Sequence, residues 1–385
     1  MTVDQNISTR INLMRIFLIS GIVFVHVPFD VTTTPYAGHV PAFDWLRVFL
    51  GDSFFRIGVP CLSAISGYLL FRRGLEAFDY AKVVRSKVVT LLVPFLFWNL
   101  SVVLVVGVAQ SQGIGVGYFP DVWGADFRTI LSHMFSLEDF PIDLPLYFLR
   151  DLFVCILVSP VLALAVRRAP WITCVVLFGL AILPSVTVGL VLKKSILFSF
   201  TFGIAIALNK VDVKQLDRYA LPGTLLTLLA AGLLSIPLYL TGPDYPYLVD
   251  LARNALSIVG ALGFWLMSAL MIRTALGTRL SQTGSLSFWI FCAHYPLLVF
   301  LWMIWNRFFG DVAYVGFYVG ALATTFFILV VTNAAFMRFL PEVYQLLTGS
   351  RGRNAQKPRD FPKGQKPFSS QARWHEDQTL AKVKR

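Results

Sequence analysis

Apolar runs of about 20 residues recur along most of this chain, and each is long enough to cross a bilayer as a helix. Inside lipid no water satisfies a backbone N–H or C=O, so such a run must close its hydrogen bonds within itself. The expected fold is therefore all-α: a polytopic membrane protein with about ten transmembrane helices in a single helical bundle. The spans fall near residues 11–28, 50–71, 88–109, 146–166, 170–190, 194–209, 219–240, 254–273, 284–306 and 312–339. Of the 385 residues, 56% are hydrophobic and only 14% charged, against about 25% charged in a soluble domain. The first run lacks a small-residue cleavage site and ends in Val27-Pro28-Phe29-Asp30, so it reads as a retained helix rather than a signal peptide. Cys61, Cys155, Cys174 and Cys292 all lie in apolar runs, with no CxxC or Cys/His ligand spacing. Neither a disulfide framework nor a metal site is expected.

The net charge of +12 is distributed as a topology signal. With the N-terminus inside, the inner segments carry Arg72, Arg73, Lys82, Arg85 and Lys87, then Arg167 and Arg168, then Lys210, Lys214 and Arg218, then Arg273 and Arg279. The longest outer segment, 110–145, is acidic instead. This follows the positive-inside rule, sets both termini in the cytoplasm and names the lipid bilayer, not nucleic acid, as the partner of the basic excess. Lys193-Lys194 is the exception, falling in an outer turn between spans five and six. Residues 1–344 form the expected membrane domain. Residues 345–385, basic and poor in aliphatic side chains, form an expected disordered cytosolic tail.

Chemistry concentrates in the first span, RINLMRIFLISGIVFVHVP at 10–28. Arg15 and His26 are eleven positions apart, which on a helix returns to within about 20° of the same face and separates them by about 16 Å along the axis. Ionisable groups inside a membrane helix are costly and tend to mark a pathway or a site. A guanidinium matches phosphate or carboxylate in a bidentate fork, and a histidine can take a proton from a hydroxyl and return it to a leaving group. An acyl-CoA donor suits that spacing: its phosphates stay in basic cytosolic surroundings while the flexible arm carries the thioester inward toward His26. Structural alternatives stand beside this reading. Arg15 can snorkel to the surface, and His26 can hydrogen-bond across helices.

The second segment, FFRIGVPCLSAISGYLLFRR at 54–73, places Arg56 near the outer end, four residues after Asp52, so the two can neutralise each other. Ser66-Gly67 permits close helix approach, and Arg72 and Arg73 close the span where they can reach donor phosphates or simply fix topology. In the ninth span His294, just before Pro296, is placed to bond a carbonyl freed by the proline. The outer loop 110–145 mixes glycine, aromatics and carboxylates, which suits a sugar or an ordinary interfacial loop.

Four motifs in order then resemble the membrane acyltransferase-3 family: Arg15-x10-His26; FFRIGVPCLSAISGYLL; LPLYFLRDLFVCILVSPVL at 144–162; and SLSFWIFCAHYPLL at 285–298, which carries an extra residue between His294 and Pro296. The resemblance covers roughly residues 10–340. It implies O-acyl transfer from cytosolic acyl-CoA to a carbohydrate hydroxyl on the outer side of a bacterial inner membrane. His26 would be the base, Arg15 a donor-positioning group, Arg72 and Arg73 donor contacts, and Arg56, Ser66, Gly67, Arg150 and His294 pocket or support residues. Within the family the chain is most similar to bacterial exopolysaccharide modifiers, the succinoglycan O-succinyltransferases first and periplasmic-glucan succinyltransferases second. Succinyl-CoA or acetyl-CoA is then a co-substrate with no bound cofactor, the carbohydrate is the acceptor, and polysaccharide-assembly proteins are further partners. A dicarboxylic acyl group would need a cation in a low-dielectric site, for which Arg56 and Arg150 are candidates, each with a neighbouring acid. Two rivals belong to other classes: a transporter of glycan or lipid-linked sugar, and a structural subunit of a polysaccharide-export complex.

Overall fold

The computed structural model describes residues 5–310 and 312–349. Among them there is no strand, and fourteen helices carry the chain: α1 (Gln5–Val25), α2 (Pro41–Phe71), α3 (Tyr80–Ser111), α4 (Phe127–Phe135), α5 (Tyr147–Leu157), α6 (Ser159–Arg168), α7 (Pro170–Ile182), α8 (Lys194–Leu208), α9 (Ala220–Thr241), α10 (Tyr247–Met271), α11 (Ala275–Ser281), α12 (Leu286–Phe309), α13 (Tyr314–Phe339) and α14 (Pro341–Thr348). Seven of the described helices are long and apolar enough to cross a membrane. The other three expected spans appear in altered form. The span at 146–166 is broken, with α5 and α6 meeting at 61°. Pro160 has no N–H to donate to the Ile156 carbonyl one turn back, and its ring crowds that carbonyl, which accounts for the bend at Val158. The span at 170–190 is only the 13 residues of α7, stopped before Pro184, and that at 194–209 is the 15 residues of α8.

Helix α1 ends at Val25, one residue before His26, because Val27 precedes Pro28 and is biased away from helical dihedrals. α2 returns antiparallel to it: Gly51 faces Phe24 and Val25, and Gly58 faces Leu18 and Ile22. Within α2, Phe49–Phe54 forms a π-helical turn and Phe55–Ile57 a 3₁₀ turn. Such register changes inside a helix are frequent at functional sites, and this one carries Asp52 and Arg56.

Helix α8 is the innermost element, with Ile196, Phe200, Thr201 and Ile204 fully buried. Its crossing with α2 is set by missing side chains. A Cβ on Gly67 would stand 2.0 Å from the Phe200 carbonyl oxygen, and one on Gly203 would stand 2.1 Å from that of Ala64. Ser66, beside Gly67, turns its hydroxyl onto the Leu62 carbonyl of its own helix at 2.9 Å.

Arg10 ties α1 to the segments around α10. Its guanidinium is 1% exposed, meets both Asp217 oxygens at 2.9 Å, donates to Ser268 Oγ at 3.0 Å and the Trp265 carbonyl at 2.7 Å, and lies 3.8 Å over the Trp265 ring. At the other end of the chain, α14 buries Tyr344, Leu347 and Thr348, so residues up to Gly349 belong to the bundle and the expected boundary at 344 falls inside a packed helix. The expectation of disorder from residue 350 onward lies outside the described residues.

Two variants separate helix crossing from polar decoration. Gly67→Ala must push α2 off α8 and is expected to cost about 1–3 kcal/mol or more, whereas Ser66→Ala leaves stability nearly unchanged. Removing Arg10 leaves Asp217 without its cation, while the Trp265 carbonyl keeps the Ser268 hydroxyl as a donor at 2.6 Å. Arg10→Ala is expected to cost about 2–3 kcal/mol, below the full cost of breaking a buried pair because Asp217 stays partly exposed. Thermal unfolding in detergent checks all three.

Candidate active site

The first residue past α1 is held by what the helix leaves behind. The His26 N–H bonds the Val23 carbonyl at 3.2 Å, a tightened last turn, and the Ile22 carbonyl is met by the His26 ring at Nδ1, 2.9 Å away. A carbonyl oxygen only accepts, so Nδ1 carries the hydrogen. Helix α12 sets a second imidazole by the same rule. His294, fully buried, places Nδ1 at 3.0 Å from the Ile290 carbonyl and 2.9 Å from that of Phe291. Its Nε2 therefore presents a lone pair, and it lies 3.3 Å from His26 Nδ1. The His26 Nδ1–H is shared between the Ile22 carbonyl and His294, and the His26 Nε2 lone pair has no partner among the described residues. That atom is where a proton can be received. The resulting imidazolium would be stabilised through Nδ1 by a carbonyl and a second imidazole.

His294 does not do what its proximity to Pro296 suggests. The proline deprives the Cys292 carbonyl of an N–H, but the ring bonds Ile290 and Phe291 instead. The His26–His294 pairing joins residues 268 positions apart and had no signal in the sequence beyond the presence of both residues in apolar helices.

Aromatic rings and the outer loop close over the pair. Tyr295 stands edge-on to His26 at 5.9 Å between ring centroids, and Phe119 from loop 112–126 meets Tyr295 at 6.4 Å. The loop is anchored by Val122 against Val102, Val103 and Val106 of α3, a cluster that Ile142 joins from beyond α4, and by Asn306 Nδ2 donating to the Tyr118 hydroxyl at 3.2 Å. Trp123, by contrast, is exposed and away from the imidazoles' aromatic neighbours.

The remaining sequence candidates divide into three groups. Arg15 is half-buried within α1, about 16 Å along the axis from His26, and has no ion pair or hydrogen bond among the described residues. Arg72 and Arg73 are exposed just past α2, at the end of the bundle away from His26. Arg56 pairs with Asp52 at 2.9 Å and donates to the Gly51 carbonyl at 3.2 Å, within electrostatic range of His26 and Tyr147. Arg150 pairs with Asp151 at 2.9 Å and donates to the Leu190 carbonyl at 3.1 Å. Gly67 serves the α2–α8 crossing, and the Ser66 hydroxyl bonds its own helix.

Two cavities are distinct from the histidine pair. One of about 270 Å³, with apolar walls from Ile11, Met14, Tyr68, Phe198 and Trp265, lies between α1, α2, α8 and α10 in the Arg10 half of the bundle. Another of about 360 Å³ lies in the loops at the His26 end, lined by Thr32, Thr33, His39, Phe43, Asp44 and Tyr314, whose hydroxyl donates to the Pro28 carbonyl at 2.6 Å.

Asp143 was not singled out by sequence, where it reads as one more acid in an acidic loop. It is fully buried, its N–H donates to Asn99 Oδ1 at 3.1 Å, and neither carboxyl oxygen has a hydrogen-bond partner among the described residues. Its charge would act on Tyr295, beside His26. Burial pushes the Asp143 carboxyl well above the usual carboxylate range, which favours its neutral form.

Comparison with known proteins gives a consistent picture. Residues 8–334 match the acyltransferase domain family Acyl_transf_3. The chain is 53% identical over 348 residues to the succinoglycan biosynthesis protein ExoH of Rhizobium meliloti (strain 1021), covering 90% of this chain and 94% of the relative. No solved structure matches.

Asp143 gives a test with a defined sign. A carboxyl raised on folding contributes its full stability below the unfolded value of about 3.9, and that contribution is lost as pH climbs toward the folded value. Asp143→Asn is therefore expected to melt higher than the wild type at pH 7, with the gap closing toward pH 4. Melting curves across that window check it, and a gap independent of pH would contradict a carboxyl raised by burial.

Proposed function

Because the chain belongs to the acyltransferase-3 family of multi-pass membrane proteins, we propose that it moves an acyl group from cytosolic acyl-CoA to a hydroxyl of an exopolysaccharide or its lipid-linked precursor. Succinyl is the favoured group and acetyl the next. The observation that carries this reading is the His26 Nε2 lone pair, freed by the hydrogen bonds at Nδ1, with Arg15, three turns back in α1, lacking an ion pair or hydrogen bond among the described residues. The printed name of the Rhizobium meliloti relative, a succinoglycan biosynthesis protein, supports a polysaccharide acceptor.

In this reading the Arg15 end faces the cytosol, in a bacterial inner membrane with both termini cytoplasmic. Arg15, with Arg72 and Arg73 at the rim, holds the anionic part of the donor, and the thioester reaches His26. The acceptor approaches from the His26 end, where the cavity of about 360 Å³ offers threonine hydroxyls, an aspartate and aromatic rings suited to a sugar. His26 Nε2 takes the hydroxyl proton as the oxygen attacks the thioester carbon. The C–S bond breaks, and the CoA sulfur leaves with the proton returned by His26, so one ester replaces one thioester. His294 acts through His26, orienting the ring and sharing the charge that develops on it.

Oriented membrane vesicles test the reading, with labelled succinyl-CoA or acetyl-CoA supplied at the cytosolic face and glycan at the other. Label should reach the glycan in wild type and fall about a hundredfold to ten-thousandfold in His26→Ala. His294→Ala should lower turnover more than donor affinity. If wild type and His26→Ala are equally inert while glycan crosses the membrane, the protein is a transporter.

A further inference from the structure

The apolar cavity in the Arg10 half of the bundle has no part in the transfer described above. At about 270 Å³ it is larger than the roughly 150 Å³ of apolar void that takes up a benzene molecule. Phe202 of α8 and Val259 and Leu262 of α10 line it and are also exposed, all within apolar helices, so its mouth opens toward the bilayer. From there it runs along α8 to Ile206 and along α10 to Trp265. It ends at the 3₁₀ segment Val213–Tyr219, which contributes Val213 and Leu216 to its wall. Two bonds pin that segment to the bundle. Trp265 Nε1 donates to the Val213 carbonyl at 3.1 Å, and Asp217 takes the Arg10 guanidinium at 2.9 Å.

Between α8 and this segment the chain makes a costly turn. The Lys210 N–H bonds the Ala207 carbonyl at 3.2 Å, and the Val211 N–H bonds the Ile206 carbonyl at 3.1 Å. This is the two-bond helix cap whose turning residue takes left-handed geometry, a place usually held by glycine. Here it is Lys210, at a φ of +53° in spite of its Cβ. A cation elsewhere in the last turn would serve the helix dipole without that strain. Side chains kept in such geometry cluster at functional sites. Lys210 is exposed, with no ion pair or hydrogen bond among the described residues. Arg218, also exposed, lies 4.7 Å from the Tyr219 ring and has no ion pair among the described residues. The two acids of this stretch are engaged locally. Asp212 accepts the Lys214 N–H at 3.0 Å, and Asp217 holds Arg10.

We propose that this cavity binds an anionic phospholipid from the leaflet on the Arg10 side. One acyl chain occupies the cavity, and the headgroup phosphate lies against Lys210 and Arg218. The proposal is independent of the acyl-transfer reading. A chain entering past Leu262 exchanges bilayer hydrocarbon for apolar walls, which gives retention but little choice between lipids. Selection comes from the rim, where each Lys or Arg near the surface favours an anionic headgroup. Because Val213 and Leu216 line the cavity while Arg218 shares their segment, one pinned element sets both the chain slot and a phosphate contact. Lys210 adds the second contact from the turn that follows Ile206, itself a wall residue.

The test is photolabelling of the full chain in lipid nanodiscs, with phosphatidylglycerol or phosphatidylcholine carrying a diazirine in the acyl chain, and mapping of the adducts. Leu225, Leu229 and Leu233, exposed on α9, report ordinary boundary lipid. Relative to them, residues 198–206 and 258–265 should be labelled about fivefold or more better by phosphatidylglycerol than by phosphatidylcholine. Leu262→Trp narrows the mouth and should lower labelling of the cavity while α9 is labelled as before. Lys210→Gly should melt no lower than wild type, since glycine suits the left-handed turn, yet lose about fivefold of the preference for phosphatidylglycerol. Equal labelling by the two lipids in wild type, or cavity labelling that merely follows α9, overturns the proposal. So does a Lys210→Gly protein that keeps the full preference. Displacement of the label by acyl-CoA would assign the cavity to the donor and overturn it as well.

Discussion

The last turn of α1 governs the site. By tightening so that the His26 N–H reaches Val23, it strips the Ile22 carbonyl of its usual helical donor. In a membrane protein that carbonyl cannot turn to bulk water, and the His26 ring supplies the hydrogen. The bond satisfies the helix end and, in the same act, fixes which ring nitrogen is bare. Pro28 makes the early stop, so the bare lone pair at Nε2 descends from a backbone restriction two residues away. His294 then adds its own lone pair to the same hydrogen, which it can do only because two carbonyls of α12 hold its other nitrogen.

Much of this was legible in the sequence, for a definable reason. Apolar run length reports how much chain can sit in lipid, and all ten runs found a helical counterpart. It does not report whether the helix is straight or complete. Pro160 and Pro184 carried that information, and they split one span and shortened another. Arg15 and His26 stood out because ionisable groups in apolar runs are rare. Their relation to partners was invisible, since the His294 contact and the Arg10–Asp217 clamp join segments hundreds of residues apart. Lys193 was visible only as a misfit to charge topology. Asp143 was hidden by company, an acid among acids whose burial depends on how loop 112–143 folds onto α3.

The arginines show how the bundle sorts structural from available charge. Arg10 and Arg47 are each buried, bonded to a carboxylate and a backbone carbonyl, and laid over an aromatic ring, 3.8 Å over Trp265 and 4.2 Å over Tyr314. A cation so satisfied has nothing left to offer a ligand, and its removal is felt as lost stability. Arg15, in the middle of α1, lacks those partners among the described residues.

The proposed transfer, drawing donor and acceptor from opposite faces, would require the barrier between them to be shortened. Three of the ten expected spans are short or broken, and two of those, α5 and α8, bring Arg150 and Lys193 to Asp151, whose carboxylate accepts from the Arg150 guanidinium and the Lys193 N–H. Full-length helices there would lift those charges to the membrane surface, where water would screen them. Short ones let them stay within the bundle, and the close crossing of α2 and α8 at Gly67 and Gly203 anchors the shortened helix in the core. The glycines that make the crossing and the lysine that begins the helix thus depend on one choice of length. A longer α8 would keep the crossing but would carry Lys193 away from Asp151, and the turn that the carboxylate pins would be lost.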